Sequence, residues 1–254
     1  MESVKMLSYS FPEFKSLVIH GFCDLHIGSE QHESKRLKQY LAKVFEQDNH
    51  YAVAVGDLID NGTKGSKTNV YGQKMSPDDQ LDMVGELLEP YKKRFLCFVD
   101  GNHERRTKLE SDIGITRRLA KELGCSDKYH DSMQFMKIGV GRRKNGHVKS
   151  PLYSVCCHHG ALGNKLMLNN FASVCGADVF ISGHTHRPGV EPLDRYDLDM
   201  NNGYATLKPL YVVTATSWMR YGGYGAEKMM KPNGVHPNWV TLRGDEWKIE
   251  VTQG

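Results

Sequence analysis

The chain has 254 residues, 25% of them charged and 39% hydrophobic, with a formal net charge of +3. This is the balance of a globular protein with room for a sizeable core, and so small a charge makes no case for nucleic acid by itself. No apolar run nears the roughly 20 residues of a membrane helix, and "MESVKMLSYSFPEFKS" at the N-terminus has no signal-peptide core, so a cytoplasmic location is expected.

In chain order, the first apolar run of strand length is 17–22. An amphipathic helical pattern follows over 33–47, with Leu37, Leu41, Val44 and Phe45 on one face. Residues 51–55 read as a strand and 61–73 as a polar, glycine-bearing loop. Ser76-Pro77-Asp78-Asp79 then opens a helix, with a Ser cap, proline at the first position and early acids. Strands are expected at 95–99, 133–140, 152–157, 179–182 and 210–214, and helices at 105–123 and 162–175. Residues 188–208 read as a second long loop, and Arg142 to Gly146 as a solvated hairpin tip. The segment 239–251 reads as two strands around a Gly244-Asp245 turn. Continuous apolar runs suit strands buried on both faces. Strands alternating with helices argue for an α/β core, which the terminal hairpin makes a mixed sheet, and no repeat or linker divides residues 1–254 into more than a single domain. The six cysteines, Cys23, Cys97, Cys125, Cys156, Cys157 and Cys175, read as buried thiols; no CxxC pair offers a thiolate zinc site.

The strand ends carry the chemistry. Asp24 and His26 follow the first run, Asp57 follows 51–55, and Asn102 and His103 follow 95–99. His158 and His159 follow 152–157, and His184 and His186 follow 179–182. Sites in open α/β sheets gather at the carboxyl ends of strands, so five remote segments are expected to deliver these side chains to one place. Gly56, Gly101 and Gly183 each precede a candidate ligand and permit close backbone approach. Two carboxylates, an amide and at least four imidazoles exceed what one metal ion uses. They suit two divalent ions bridged by Asp57, with Mn²⁺ favoured and Fe or Zn²⁺ as alternatives. Such a pair polarises a phosphoryl oxygen and acidifies a bridging water, which favours phosphoester hydrolysis.

Asp24-Leu25-His26, Gly56-Asp57, Gly101-Asn102-His103-Glu104, His158 and Gly183-His184-Thr185-His186 stand in the order of the motifs of the calcineurin-like metallophosphoesterase superfamily, which the sequence resembles. The resemblance implies two packed mixed β-sheets flanked by helices, a four-layer sandwich. It implies that Asp24, His26, Asp57 and His186 hold one metal and that Asp57, Asn102, His158 and His184 hold the other. His159 is the second choice to His158. His103 is then the residue facing the leaving group, as proton donor or electrostatic stabiliser, with Asp60 pairing with it and raising its pKa.

In protein phosphatases of the superfamily an Arg follows the second motif, where this chain has Asn61. That substitution, the "DLHIG" form shared with nuclease-type relatives and the basic residues near the motifs point to a phosphodiester substrate, nucleic acid or nucleotide, cleaved with a metal-bridging hydroxide. A phosphomonoesterase acting on a small molecule or protein is the runner-up, and a non-catalytic metal-binding scaffold ranks last. Arg105 and Arg106 are candidates to touch substrate phosphate. Arg220-Tyr221, with Tyr224, either stacks bases or simply packs. His20, His32, His50, His130, His147 and His236 fall outside the motifs and read as structural. No membrane partner is expected, and nothing in the sequence sets the oligomeric state.

Overall fold

Apolar runs become strands because their side chains are buried on both sides. The structure is a computed structural model that describes residues 4–64, 66, 70–142, 150–160, 165–227, 229 and 231–254. Its elements begin with β1 (Leu7–Phe11), β2 (Ser16–Phe22), α1 (Ser34–Phe45), β3 (His50–Val55), α2 (Pro77–Leu88) and β4 (Phe95–Val99). Next come α3 (Asn102–Ser111), α4 (Ile115–Glu122), β5 (Tyr129–His130), β6 (Met133–Val140), β7 (Leu152–His158) and α5 (Lys165–Cys175). The chain continues through β8 (Val179–Ser182), β9 (Gly189–Asp199), β10 (Tyr204–Thr214), α6 (Gly223–Glu227), β11 (Asn238–Arg243) and β12 (Ile249–Gln253).

The strands form two six-stranded sheets, ordered β1-β6-β7-β8-β10-β9 and β12-β11-β2-β3-β4-β5. Both are mixed: β2, β3 and β4 run parallel, as do β7, β8 and β10, while β11 and β9 pair antiparallel to their neighbours. Period-two alternation sorts side chains between layers. In β3, Val53 and Val55 enter the core between the sheets, whereas Ala52 and Ala54 pack outward beneath Leu37 and Leu41 of α1 and Leu81 and Val84 of α2. On the other sheet, Cys156, Phe180 and Val212 pack outward against Leu168 and Ala172 of α5. The four layers are therefore helices, sheet, sheet and helix, as expected. No helix among the described residues is long and apolar enough to cross a membrane.

Two expected elements differ. The helix expected over 105–123 is two helices, because Asp112 takes a left-handed φ of 56° and ends α3 before Gly114 starts α4. The loop expected over 188–208 is mostly a long antiparallel ribbon, β9 with β10, paired without a break from Gly189↔Thr214 to Asp199↔Tyr204. Its polar, glycine-bearing composition suggested a loop. Pro192 is tolerated because β9 is an edge strand, and Pro209 lies below the stretch of β10 that pairs with β8. The helix start at Ser76 forms as expected, with Ser76 Oγ accepting from the Asp79 N–H and Asp79 accepting from the Ser76 N–H. The hairpin tip expected at Arg142 to Gly146 lies, from residue 143 on, outside the described residues, as do 161–164 at the start of the helix expected over 162–175.

Candidate metal centre

Five strands, β2, β3, β4, β7 and β8, hand their following residues to one cluster. Asp24 and His26 come after β2, Asp57 after β3, Asn102 and His103 after β4, His159 after β7, and His184 and His186 after β8. The turns that aim them are strained. Among the described residues only eight non-glycines have φ in the left-handed region, and six of them are Asp24, His26, Asp57, Asn61, His184 and His186, at 41° to 69°. Each costs about 1 kcal/mol or more and persists because neighbours over-determine it. The glycines allow the approach: a Cβ on Gly101 would sit 2.1 Å from Asp57 Oδ1, and one on Gly183 would sit 2.7 Å from Cys23 Sγ.

Two donor groups result. In one, Nε2 of His26 lies 3.1 Å from Nε2 of His186, and Asp24 Oδ1 lies 3.3 Å from His186 Nε2. In the other, Asp57 Oδ2 is 3.2 Å from His159 Nε2, and Asn102 Oδ1 is 3.1 Å from His159 Nε2 and 2.7 Å from His184 Nδ1. Asp57 Oδ2 stands between the groups, 3.8 Å from His26 Nε2. Its other oxygen accepts from the His103 backbone N–H at 2.9 Å, and Asp24 accepts from the His184 N–H at 2.9 Å.

The electrostatics are those of carboxylates in need of cations. Burial works to raise Asp24 and Asp57, yet the imidazoles around them, His186 on Asp24 and His159 on Asp57, hold both below the ordinary carboxylate range. Burial likewise opposes a charge on His159, but the Asp57 carboxylate pushes it up to about 10, and Asp24 raises His186 against the same burial. Paired imidazole nitrogens 3.1 Å apart, two carboxylates and an amide oxygen, mostly buried, form a mixed nitrogen and oxygen donor set that fits transition metals of the Mn, Fe and Zn type.

The structure brings His159, and not His158, to the cluster. β7 runs one residue further than read, through His158, and alternation decides which ring turns inward. Cys157 faces the inter-sheet core and Cys156 faces α5. His158 follows Cys156 outward, with its ring 6.3 Å from that of Phe171 and Nδ1 accepting the Gly160 N–H. His159 is the residue brought to Asp57, with Nδ1 donating to the Val55 carbonyl at 2.7 Å.

His103 is also placed differently from expectation. Its Nδ1 donates to the backbone carbonyl of Asp60 at 2.6 Å, while the Asp60 carboxylate is 3.7 Å from that nitrogen and 3.6 Å from His26 Nδ1. Burial, then the neighbouring His26, lower His103 to about 4, outweighing the upward pull of the Asp57 charge and of the Asp60 carbonyl. The Arg106 guanidinium, which can only donate, gives an N–H to His103 Nε2 at 2.8 Å and another to the Asp60 carbonyl at 3.1 Å. Arg105 instead reaches outward to the Asp131 carbonyl.

Three supports went unread in the sequence. Glu104 is buried and wrapped by backbone N–H groups: Oε2 accepts from Asp57 and Gly101, and Oε1 from Leu58 and Ile59. Burial and the Asp57 charge push its carboxyl up to about 7, against four donors that favour the ionised form. Asn61 gives its amide to the His103 carbonyl and accepts from Thr107 Oγ1. Gln80, fully buried on α2, accepts the Asn61 N–H. The signal for Glu104 was its place in "GNHE"; a buried glutamine on an otherwise apolar helix face was the signal for Gln80.

A family profile described as calcineurin-like phosphoesterase matches residues 19–188. No curated protein matches the chain. Among solved structures, the chain is similar to calcineurin-like phosphoesterase YfkN from Bacillus subtilis (14% identity, 94% of this chain and 90% of that one, TM-score 0.47). It is also similar to a single mutant of Vps29 from Entamoeba histolytica (10% identity, 94% and 99%, TM-score 0.45) and to nuclease MPE from Pseudomonas putida (13% identity, 92% and 87%, TM-score 0.34).

Proposed function

The chain belongs to the calcineurin-like phosphoesterases, metal-dependent hydrolases of phosphate esters, and from that premise we propose that it cleaves phosphodiesters with two divalent ions. Asp24, His26, Asp57 and His186 would hold one, and Asp57, Asn102, His159 and His184 the other, with Mn²⁺ favoured. The observation that carries this reading is the convergence of seven donor residues from the ends of five strands, with Asp57 between the two groups. When bound, the ions supply Lewis acidity, polarising a phosphoryl oxygen and acidifying water.

The chain's own residues do the rest. Glu104 pins the backbone of Asp57, Leu58 and Ile59 and so holds the Asp57 carboxylate between the two donor groups. His103 has its proton on Nδ1, toward the Asp60 carbonyl, and its Nε2 lone pair on Arg106. A phosphate oxygen drawing Arg106 to itself would free Nε2 to take up a proton from water and then give it to the departing oxygen. Asn61, the position held by Arg in protein phosphatases of the superfamily, is buried and spent on the His103 carbonyl and Thr107, so it offers nothing to a phosphate. Arg106 is then the single cation from the chain that reaches His103 among the described residues. One such charge suits a monoanionic diester better than a dianionic monoester. The test is turnover of bis-p-nitrophenyl phosphate and p-nitrophenyl phosphate with Mn²⁺. The diester is expected to be hydrolysed faster. Equal or faster turnover of the monoester contradicts the diester preference, and no turnover with any divalent ion contradicts the hydrolase reading.

A further inference from the structure

An imidazole that gives one ring nitrogen to a metal carries a proton on the other, and that proton needs an acceptor. His159 has one, since its Nδ1 donates to the Val55 carbonyl at 2.7 Å. His26 has none at that distance. Its Nε2 stands in the first donor group, 3.1 Å from Nε2 of His186, while its buried Nδ1 makes no hydrogen bond among the described residues. Facing that nitrogen is the Asp60 carboxylate, with Oδ1 at 3.6 Å.

The same oxygen lies 3.7 Å from Nδ1 of His103, so two imidazoles contend for one carboxylate. The Asp60 backbone decides between them. Nδ1 of His103 already gives its proton to the Asp60 carbonyl at 2.6 Å and has nothing left to donate. For the same reason His26, Asp60 and His103, though their donor atoms lie within 4.8 Å of one another, do not make a third metal site. Arg106 also meets the carbonyl, at 3.1 Å. The segments that carry His26 and Asp60 are laced together. The His26 N–H donates to the Asp57 carbonyl at 3.0 Å, the Ile27 N–H to the Leu58 carbonyl at 3.1 Å, and the Asp60 N–H to the Ile27 carbonyl at 2.9 Å. The two side chains are only 4% and 11% exposed, which leaves water little room to replace the carboxylate. A small rotation of either one closes the gap to hydrogen-bond length.

We propose that Asp60 is a positioning residue for the metal ligand His26: its carboxylate accepts the Nδ1 proton and so turns the Nε2 lone pair toward Asp24 and His186. The proposal rests on the two-ion reading above and moves Asp60 from His103, where the sequence placed it, to His26. A carboxylate behind a ligating imidazole fixes which nitrogen is protonated and makes the other a stronger donor, an effect of about 10- to 100-fold in metal affinity.

The test is calorimetric titration of the metal-free chain with Mn²⁺, which needs no turnover. The wild type is expected to show two Kd values. Asp60→Ala should raise one of them about 10- to 100-fold and leave the other within about 3-fold. Asp60→Asn, whose amide oxygen can accept the same N–H, should recover most of that loss. His103→Gln, which removes the rival ring, should leave both values within about 3-fold of wild type. Unchanged values in Asp60→Ala overturn the assignment. So does an equal rise in both, as a loosened fold would give, or a loss in His103→Gln as large as that in Asp60→Ala. Turnover of bis-p-nitrophenyl phosphate is read separately. If that diester is cleaved while the Kd values do not differ, the assignment fails alone; if it is not cleaved while Asp60→Ala weakens one ion, the diesterase reading fails and the pairing of Asp60 with His26 stands. A wild type that binds no ion overturns both.

Discussion

Two pairs of histidines sit at the same distance in this molecule, in opposite surroundings. Nε2 of His26 lies 3.1 Å from Nε2 of His186, and Nε2 of His20 lies 3.1 Å from Nδ1 of His50. The second pair lies on regular strands, β2 and β3. The other nitrogen of His20 meets the Tyr40 hydroxyl, and the ring is 6.0 Å from that of Trp239. Among the described residues no carboxylate contacts His20, and burial lowers it to about 3. The first pair stands on left-handed turns beside Asp24 and Asp57, and the buried Nδ1 of His26 has no hydrogen-bond partner among the described residues, with the Asp60 carboxylate 3.6 Å away. A pair of imidazoles is therefore not a metal site by proximity; acids and strained turns separate a ligand from a packed aromatic ring.

The comparison breaks most easily through activity. Asp57→Asn removes the charge common to both donor groups and should lower diester turnover by about 10³-fold or more, whereas His20→Gln should stay within about 2-fold of wild type. Comparable losses in the two variants would erase the distinction. His103→Ala should cost about 10²-fold or more in kcat, read under saturating Mn²⁺, because a group facing the leaving oxygen is lost while the donor set remains.

Thermal unfolding gives a smaller effect that needs no substrate. At about 100 times its Kd a bound ion adds about 2.7 kcal/mol, or roughly 5–10 °C in Tm for a chain of this size. That rise should appear in wild type and His20→Gln and vanish in Asp57→Asn. The smallest effect belongs to the structural pair. His20 is held neutral in the fold, with a pKa near 3, while an unfolded chain takes the proton near 6.5. The stability it contributes is complete above pH 6.5 and falls as pH drops toward 3, by up to about 1.4 kcal/mol per pH unit. Urea midpoints for His20→Gln should fall less steeply over that window, and a slope equal to that of wild type contradicts the buried neutral state.

The fold was legible where burial on both faces left an unbroken apolar run, as in β4 and β8, whose bounds match the expectation. It was not legible in the β9–β10 ribbon. There Tyr196 and Leu198 alternate with Asp197 and Asp199, mostly exposed, and pairing with a single neighbour rather than burial makes the strand. The site was legible as an ordered set of strand ends, since position along the chain predicts convergence in a parallel sheet. The choice between His158 and His159 was not, because it turns on where alternation stops, which one residue of strand length decides. The partner of His103 also escaped, because the contact is with the carbonyl of Asp60, a group every residue has.

The most direct test of the account is the number of metal ions bound per chain, measured by elemental analysis after loading with Mn²⁺ and exhaustive dialysis. Two ions are predicted for wild type and for His158→Ala, and fewer for His159→Ala. Fewer than two in wild type, or loss in His158→Ala with none in His159→Ala, would contradict it.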